Sequence, residues 1–318
     1  MGGFLSELGK KLAERWLTLL VLPGALYLAV AVTAHVLGHG HPFDLPRLTH
    51  QITTWANQPA ARTAGGQVVL LAAILAGAAT VGLAAQALGS LAERLCLAAD
   101  WSAWPLPLRQ LAAKQTARRH ARWTDAARTW HHHRERDAQA RAHGQPTNPA
   151  RRHAAERTMT RIGPEEPGRP TWSGDRLNAV AIRLERDHHL DLATLWPHLW
   201  LILTEETRTQ IATARQNLTR AATLTAWALL YLPLAAWWWP AVLITITLAL
   251  TGWSRTRTAT DTYAMLLEAT TRLHTHDLAD RLGLNPTSPI SPATGDALTH
   301  HLTPTPPPPP PTSSPPTG

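Results

Sequence analysis

The sequence predicts an all-helical integral membrane protein: two pairs of transmembrane helices flanking a cytoplasmic helical insert, with a disordered proline-rich C-terminal tail. Three observations predict it. Runs without a charged side chain occur at 16–34, between Arg62 and Glu93, and between Arg220 and Arg255. The intervening segment, 91–221, holds 21 of the 30 Lys and Arg residues. From Pro304 onward the chain is low-complexity proline.

The first run has 19 residues from Trp16 to Ala34, enough for roughly 28 Å of helix against a hydrocarbon core of about 30 Å. Pro23 and Gly24 fall inside it, and a lipid-embedded helix tolerates them as a kink. A cleaved signal peptide, with Lys10, Lys11 and Arg15 before the apolar run and Ala29-Val30-Ala31 as its cleavage site, is the alternative. The run is longer than the usual signal core, which favours an uncleaved anchor. The second run has its apolar centre at 68–88, and Gly77, Ala78, Gly82 and Ala85 offer small faces for a close helix neighbour. The third is too long for one crossing. Two short spans, 224–237 and 241–253, turning at Trp238-Trp239-Pro240, suit it better, because tryptophans favour the membrane–water interface. One tilted span kinked at Pro233 is the rival.

Charge sets the expected orientation. Lys10, Lys11 and Arg15 precede the first span, Arg47 and Arg62 are the only bases in the first loop, and Arg255 and Arg257 follow the last span. Basic flanks stay in the cytoplasm. Both termini and the insert are therefore expected inside, with the first loop and the hairpin tip outside. The formal charge of +8 comes mainly from the insert and should attract anionic lipid headgroups. Bases and acids interleave there and no nucleic-acid module is present, so nucleic acid is not an expected partner. The lone Cys96 excludes an intrachain disulfide.

The insert reads as helical. A helix over 106–143, continuing the second span into the cytoplasm, ends at Gly144-Gln-Pro-Thr-Asn-Pro149. A second break, 162–170, reads as mobile. A new helix starts near Ser173 or Asp175 as N-cap, with Leu177, Val180, Ala181 and Leu184 on one face. The apolar stretch 190–203 is too short to span a bilayer and is interrupted by Pro197. It is expected to pack inside the protein, with a partner surface or the membrane interface as alternatives. Thr204 caps the next helix, and Glu205 and Glu206 in its first turn suit the helix dipole. That helix runs into the third span. After the last span a further helix is expected over 259–282, with Tyr263, Leu266, Leu267 and Leu273 on one stripe and Gly283 as C-cap.

Motifs for chemistry are sparse. His131-His132-His133 on a helix points in three directions and cannot converge on one ion. His35, His39, His41 and Asp44 cluster at the outer mouth of span one without a completing ligand. His188-His189 with Asp191 reads as a turn between helices. No metalloprotease, hydrolase or phosphate-loop pattern occurs, and the span centres hold no ionisable residue of the kind that coupled transporters use. No catalytic residue, metal or cofactor is expected.

Thr171-Trp-Ser-Gly-Asp-Arg-Leu177, followed by Leu190-Asp-Leu192 and Leu195-Trp-Pro-His-Leu-Trp-Leu201, resembles a signature of multi-pass membrane proteins found chiefly in actinobacteria. In those proteins Arg often follows the Trp-Pro pair, where this chain has His198. Leu22-Pro-Gly24, the stretch around Arg118–Trp123, the Trp-rich hairpin and the Glu268–His274 segment are also similar. The resemblance covers the chain to about residue 302. It implies the two-plus-two architecture and no activity.

The expected organisation is then a transmembrane pair in 1–90 (spans about 16–36 and 67–90) and a cytoplasmic insert in 91–221. A transmembrane hairpin in 222–254, a cytoplasmic helical segment in 255–302 and the tail in 303–318 follow. The expected role is non-enzymatic: a scaffold or docking protein of the plasma membrane. Trp172, Asp175, Arg176, Trp196, Pro197 and Trp200 are the candidate partner contacts, because this apolar, Trp-rich motif lies between charged helices with no chemistry nearby. The expected partners are the lipid bilayer, its anionic headgroups and a protein on the insert, with homo-oligomers left open. An oligomeric channel or transport component, with small-faced span two lining or packing the pore, is the alternative.

Overall fold

A computed structural model of the chain describes residues 7, 21–147, 149–284 and 291–303. The readings placed on Lys10, Lys11, Arg15 and Trp16, the signal-peptide alternative and the proline tail lie outside these residues. The described chain is all α, with no strand.

The helices are α1 (Leu22–Leu37), α2 (Leu45–Ala56), α3 (Ala64–Leu97), α4 (Leu106–Ala142), α5 (Pro149–Ile162), α6 (Trp172–His188), α7 (Leu192–Ile202), α8 (Glu205–Tyr231), α9 (Pro240–Arg281) and α10 (Pro292–Leu302). A single turn at Pro59–Arg62 and 3-10 turns at Trp101–Ala103 and Leu232–Ala236 join some of them. They form two compact units from interleaved segments. An apolar unit takes Met1–Arg122, Pro167–Gly174 and Thr213–Asp261; a charged unit takes Trp123–Glu166, Asp175–Ala212 and Thr262–Gly318.

In the apolar unit, α3 is long and apolar enough to cross a membrane, the one helix among the described residues that is. Thr63 starts it, its hydroxyl accepting from the Gly66 N–H at 3.1 Å. Its small residues Ala78, Gly82, Ala85, Gly89 and Ala92 are buried, and its large ones, Val68, Val69, Leu70, Leu71, Ile74, Leu75, Leu83 and Leu91, are exposed. The small face is used inside the unit. A Cβ on Gly24 of α1 would lie 2.0 Å from the Ala78 carbonyl oxygen, and one on Gly89 would lie 3.0 Å from the Thr223 hydroxyl of α8. At Gly24 only glycine allows backbones so close, and at Gly89 a larger residue would have to push Thr223 aside.

The third apolar block turns back on itself. α8 gives way to a 3-10 turn at Leu232–Ala236, and α9 begins at Pro240, whose missing N–H costs nothing at a helix start. A Cβ on Gly252 would meet the Thr225 hydroxyl at 2.9 Å. Nearer the turn, Trp227, Tyr231 and Leu234 share a cluster with Ala241, Ile244 and Leu248, joined by Tyr27 and Val30 of α1. The two arms are therefore antiparallel neighbours. Tyr231 stacks edge-on against Tyr27, with ring centroids 5.2 Å apart.

The structure corrects four sequence expectations. α3 does not continue into α4: Ala98 adopts a left-handed conformation (φ 44°) while its N–H closes the last turn on the Arg94 carbonyl at 2.9 Å. The cap of α6 is neither Ser173 nor Asp175. Thr171 takes that place, accepting from the Gly174 N–H at 3.0 Å. The expected separate helix over 259–282 is the second half of α9, because Arg255 and Arg257 interrupt the apolar run without interrupting a helix. On its stripe Leu267 is buried but Leu273 is 72% exposed.

The charged unit has an ordinary core. Val180 and Leu184 of α6, Leu190, Leu195 and Leu199 on and before α7, Ala264, Leu267 and Leu278 of α9 and Leu298 of α10 pack into one cluster. As expected, Thr204 caps α8, accepting from the Thr207 N–H at 3.4 Å, and Gly283 (φ 74°) ends α9. Its N–H reaches the Asp280 carbonyl and that of Leu284 the Ala279 carbonyl, both at 3.0 Å. Gly144 (φ 65°) follows the end of α4.

Candidate functional site

The stretch 190–203 becomes α7 because Asp191 caps it, its carboxylate accepting from the Ala193 N–H at 3.0 Å and from the Thr194 hydroxyl at 2.6 Å. Pro197 does not break the helix. It removes one backbone donor, and the next side chain, His198, lies with Nδ1 3.1 Å from the Thr194 carbonyl. Leu195 and Leu199 point into the core and Trp196 packs partly against it. Trp196 and Trp200 are one turn apart with ring centroids 5.9 Å from each other. Pro197 is exposed, Trp200 is half-buried, and Leu201 beside it is 75% exposed. α7 thus uses one side as core and leaves an aromatic and aliphatic patch on the other.

The other candidate contacts fall elsewhere. Asp175 and Arg176 are buried. Trp172 belongs to the apolar unit, where the Arg257 guanidinium lies 4.2 Å from its ring centroid and 5.4 Å from that of Trp253. Such cation–π stacking holds the start of α6 on α9. The motif 171–177 has a structural task there. The Thr171 hydroxyl donates to the Cys96 carbonyl, Arg169 Nη1 donates to the Leu97 carbonyl at 3.3 Å, and a Cβ on Gly174 would lie 2.5 Å from that same oxygen. These groups satisfy carbonyls left unpaired at the C-terminal end of α3. Nearby Glu93 pairs with Arg215.

The segment read as mobile, 162–170, is fastened. In the charged unit Trp123 Nε1 donates to the Gly163 carbonyl at 3.0 Å, and in the apolar unit Trp101 Nε1 donates to that of Gly168 at 3.2 Å. Glu165 enters a feature that sequence reasoning missed: a closed ring of three guanidinium and three carboxylate groups. Glu165 binds Arg183 and Arg186, each at 3.0 Å. Arg183 reaches Glu268 at 3.2 Å, Glu268 reaches Arg272 at 3.2 Å, Arg272 reaches Asp187 at 3.0 Å, and Asp187 returns to Arg186 at 3.3 Å. The members come from the 162–170 segment, α6 and α9. Hydrogen bonding from Arg272 holds the Asp187 carboxyl below its ordinary range, and hydrogen bonding to Glu165 raises Arg186. The ring pairs three guanidinium with three carboxylate groups, an arrangement that suits a clamp.

Among the described residues no three of His, Cys, Asp and Glu converge as metal ligands. His41 lies with Nδ1 3.4 Å from Arg47 Nη1. His189, in the left-handed region (φ 54°), makes the turn before α7 and meets Asp296 at 3.2 Å. An apolar cavity of about 190 Å³ lies in the apolar unit between Ala31, Ala34, His35, Leu234 and Trp237, with His35 its one ionisable neighbour. Comparison of the chain with protein families, with curated proteins and with solved structures returns no match in any of the three.

Proposed function

We propose that the chain is an integral membrane protein serving as a membrane-anchored docking scaffold, with the charged unit as the platform and Trp196, Pro197 and Trp200 of α7 as the partner contact. The observation that carries the membrane part is the inverted surface of α3. Only 22% of its most apolar window is buried, and that part is the small residues while the large aliphatics face out. In water such a belt would be a severe liability; in lipid it is the expected arrangement. α1 exposes Leu22, Leu26 and Val32, and α9 exposes Val242, Leu243, Ile246 and Leu250, which supports crossings by α1 and by the α8–α9 hairpin alongside α3. The positive-inside rule then favours both termini and the charged unit in the cytoplasm.

The docking part rests on α7. Its outer patch of Pro197, Trp200 and Leu201 has no core function, and aromatic residues dominate binding contacts. The small face of α3, which a pore reading needs, already contacts Gly24 and Thr223, and this weighs against the channel alternative. The test is recovery of bound proteins from detergent-solubilised membranes. Leu201→Asp and Trp200→Ala leave the core intact, so both variants should remain in the membrane and lose proteins that wild type retains in stoichiometric amount. Equal recovery would overturn the docking reading.

A further inference from the structure

α2 joins α1 to α3 and is amphipathic, yet none of its residues is buried. Leu45, Leu48, Ile52 and Trp55 recur at i, i+3, i+7 and i+10 and share one face. Leu45 is 65%, Ile52 50% and Trp55 38% exposed. Arg47, His50 and Thr54 lie on the opposite face, and the helix itself holds no acid. A helix in water has no reason to keep such a face, and among the described residues nothing buries it.

What lies beside it identifies the occupant. Trp238 Nε1 donates to the Pro42 carbonyl at 3.0 Å, and the Phe43 ring stands edge-on to Trp239 with centroids 5.8 Å apart at 86°. The start of α2 is therefore fastened to the tip of the α8–α9 hairpin. Trp237, Trp239 and Phe43 are themselves exposed, so the chain enters α2 beside an exposed group of aromatic side chains at the hairpin tip. Asp44 fixes the entry of α2, its carboxylate accepting from the Arg47 N–H at 3.0 Å.

We infer that α2 is an interfacial helix. It lies in the plane of the outer leaflet with Leu45, Leu48, Ile52 and Trp55 at the headgroup–acyl boundary and with Arg47 and His50 toward phosphate and water. This geometry suits helices with a large apolar face and a basic polar face, and tryptophan prefers that depth. The inference rests on the membrane reading above and adds an element that does not cross.

The test is nitroxide accessibility on the full chain in liposomes of phosphatidylethanolamine and phosphatidylglycerol, in a Cys96→Ala background. Labels go singly at Ile52→Cys and His50→Cys on the two faces of α2 and at Leu71→Cys on the α3 belt. At 52 the label should favour dissolved oxygen over a water-soluble nickel chelate several-fold more than at 50, with 71 deeper still. A label at 52 as open to nickel as that at 50 would overturn the inference while a lipid-shielded 71 kept the membrane reading. A label at 52 shielded from both probes would also overturn it, in favour of a second copy or another protein on that face. A nickel-accessible 71 would overturn both.

Discussion

The two units solve the same packing problem in opposite ways. The charged unit buries large side chains, with Leu184, Leu190, Leu195, Leu199 and Leu298 almost wholly hidden, and covers them with ion pairs. The apolar unit buries mostly alanine and glycine, among them Ala34, Ala78, Ala85, Ala226 and Ala241, and turns leucine, valine and isoleucine outward. A hydrophobic driving force explains the first, since each hidden leucine leaves water. In the second the close approach of backbones supplies the contact, as is expected where large aliphatics gain nothing by burial because the surroundings are already apolar. On the membrane reading proposed above, the difference teaches that each unit is matched to its own solvent.

The largest effect is expected where the apolar unit has no slack. Gly24→Val sets a side chain against the Ala78 carbonyl, and backbone cannot yield as a side chain does, so the cost should exceed the usual 1–3 kcal/mol range of overpacking, on the order of total loss of folded protein. Gly77→Ala in the same interface meets only the tip of Leu28 at 3.3 Å and should be tolerated. The readout is the yield of monodisperse protein in detergent; equal yields for both variants would break the close-packing account.

Next comes a pair of truncations. Leu184→Ala in the charged unit should cost about 2–5 kcal/mol, whereas Leu71→Ala on the outer face of α3 should change stability by less than about 0.5 kcal/mol. Chemical denaturation of the full chain in micelles compares them, and similar losses would remove the distinction between the units.

A smaller effect is expected from the ion ring. Arg183→Met opens the ring by removing the direct bridge between Glu165 and Glu268 and leaves Glu165 held by Arg186 alone, and because these groups are only partly buried the loss should be about 1 kcal/mol. Limited proteolysis should then cut the 162–170 segment faster than in wild type. Unchanged cutting would mean that the ring does not fasten it.

The smallest effect is a pH dependence. The folded-state pKa of Asp187 is lowered, chiefly by its hydrogen bond from Arg272. Its stabilisation is therefore fully present above the unfolded aspartate value of about 3.9 and is lost as pH falls through the lower folded value. Arg272→Met should flatten this part of the acid limb of a stability profile. An unchanged limb would assign the acid sensitivity to other carboxylates.

Much of this was legible along the chain. Charge-free runs marked the α3 belt and the reversing hairpin, and local chemistry marked the caps at Thr204 and Gly283 and the break after Gly144. The misses have physical reasons. Ala98 ends α3 in a conformation that sequence reading reserves for glycine, so α3 and α4 looked continuous. α9 passes Arg255 and Arg257 unbroken, because the end of an apolar run is not a loss of helix propensity and arginine is a good helix former. α2 and α10 were overlooked although Asp44 with Pro46, and Ser291 with Pro292, are N-terminal signals at the right spacing. The ion ring joins residues up to about a hundred positions apart, and nothing local pairs Glu165 with Arg183 or Asp187 with Arg272. Of the candidate contacts, Trp196, Pro197 and Trp200 lie together on α7, while Asp175 and Arg176 are buried and Trp172 stacks on Arg257.

The central claim is that α3 and the α8–α9 hairpin cross a bilayer, and paired topology reporters test it most directly. A reporter that fluoresces only in the cytoplasm is fused after Gly318 in one chain and inserted between Gln58 and Arg62 in another. A bright C-terminal fusion with a dark loop fusion is the predicted result. A bright loop fusion would mean that α3 does not cross, and a dark C-terminal fusion would mean that the hairpin does not return the chain to the cytoplasm; either would contradict the account.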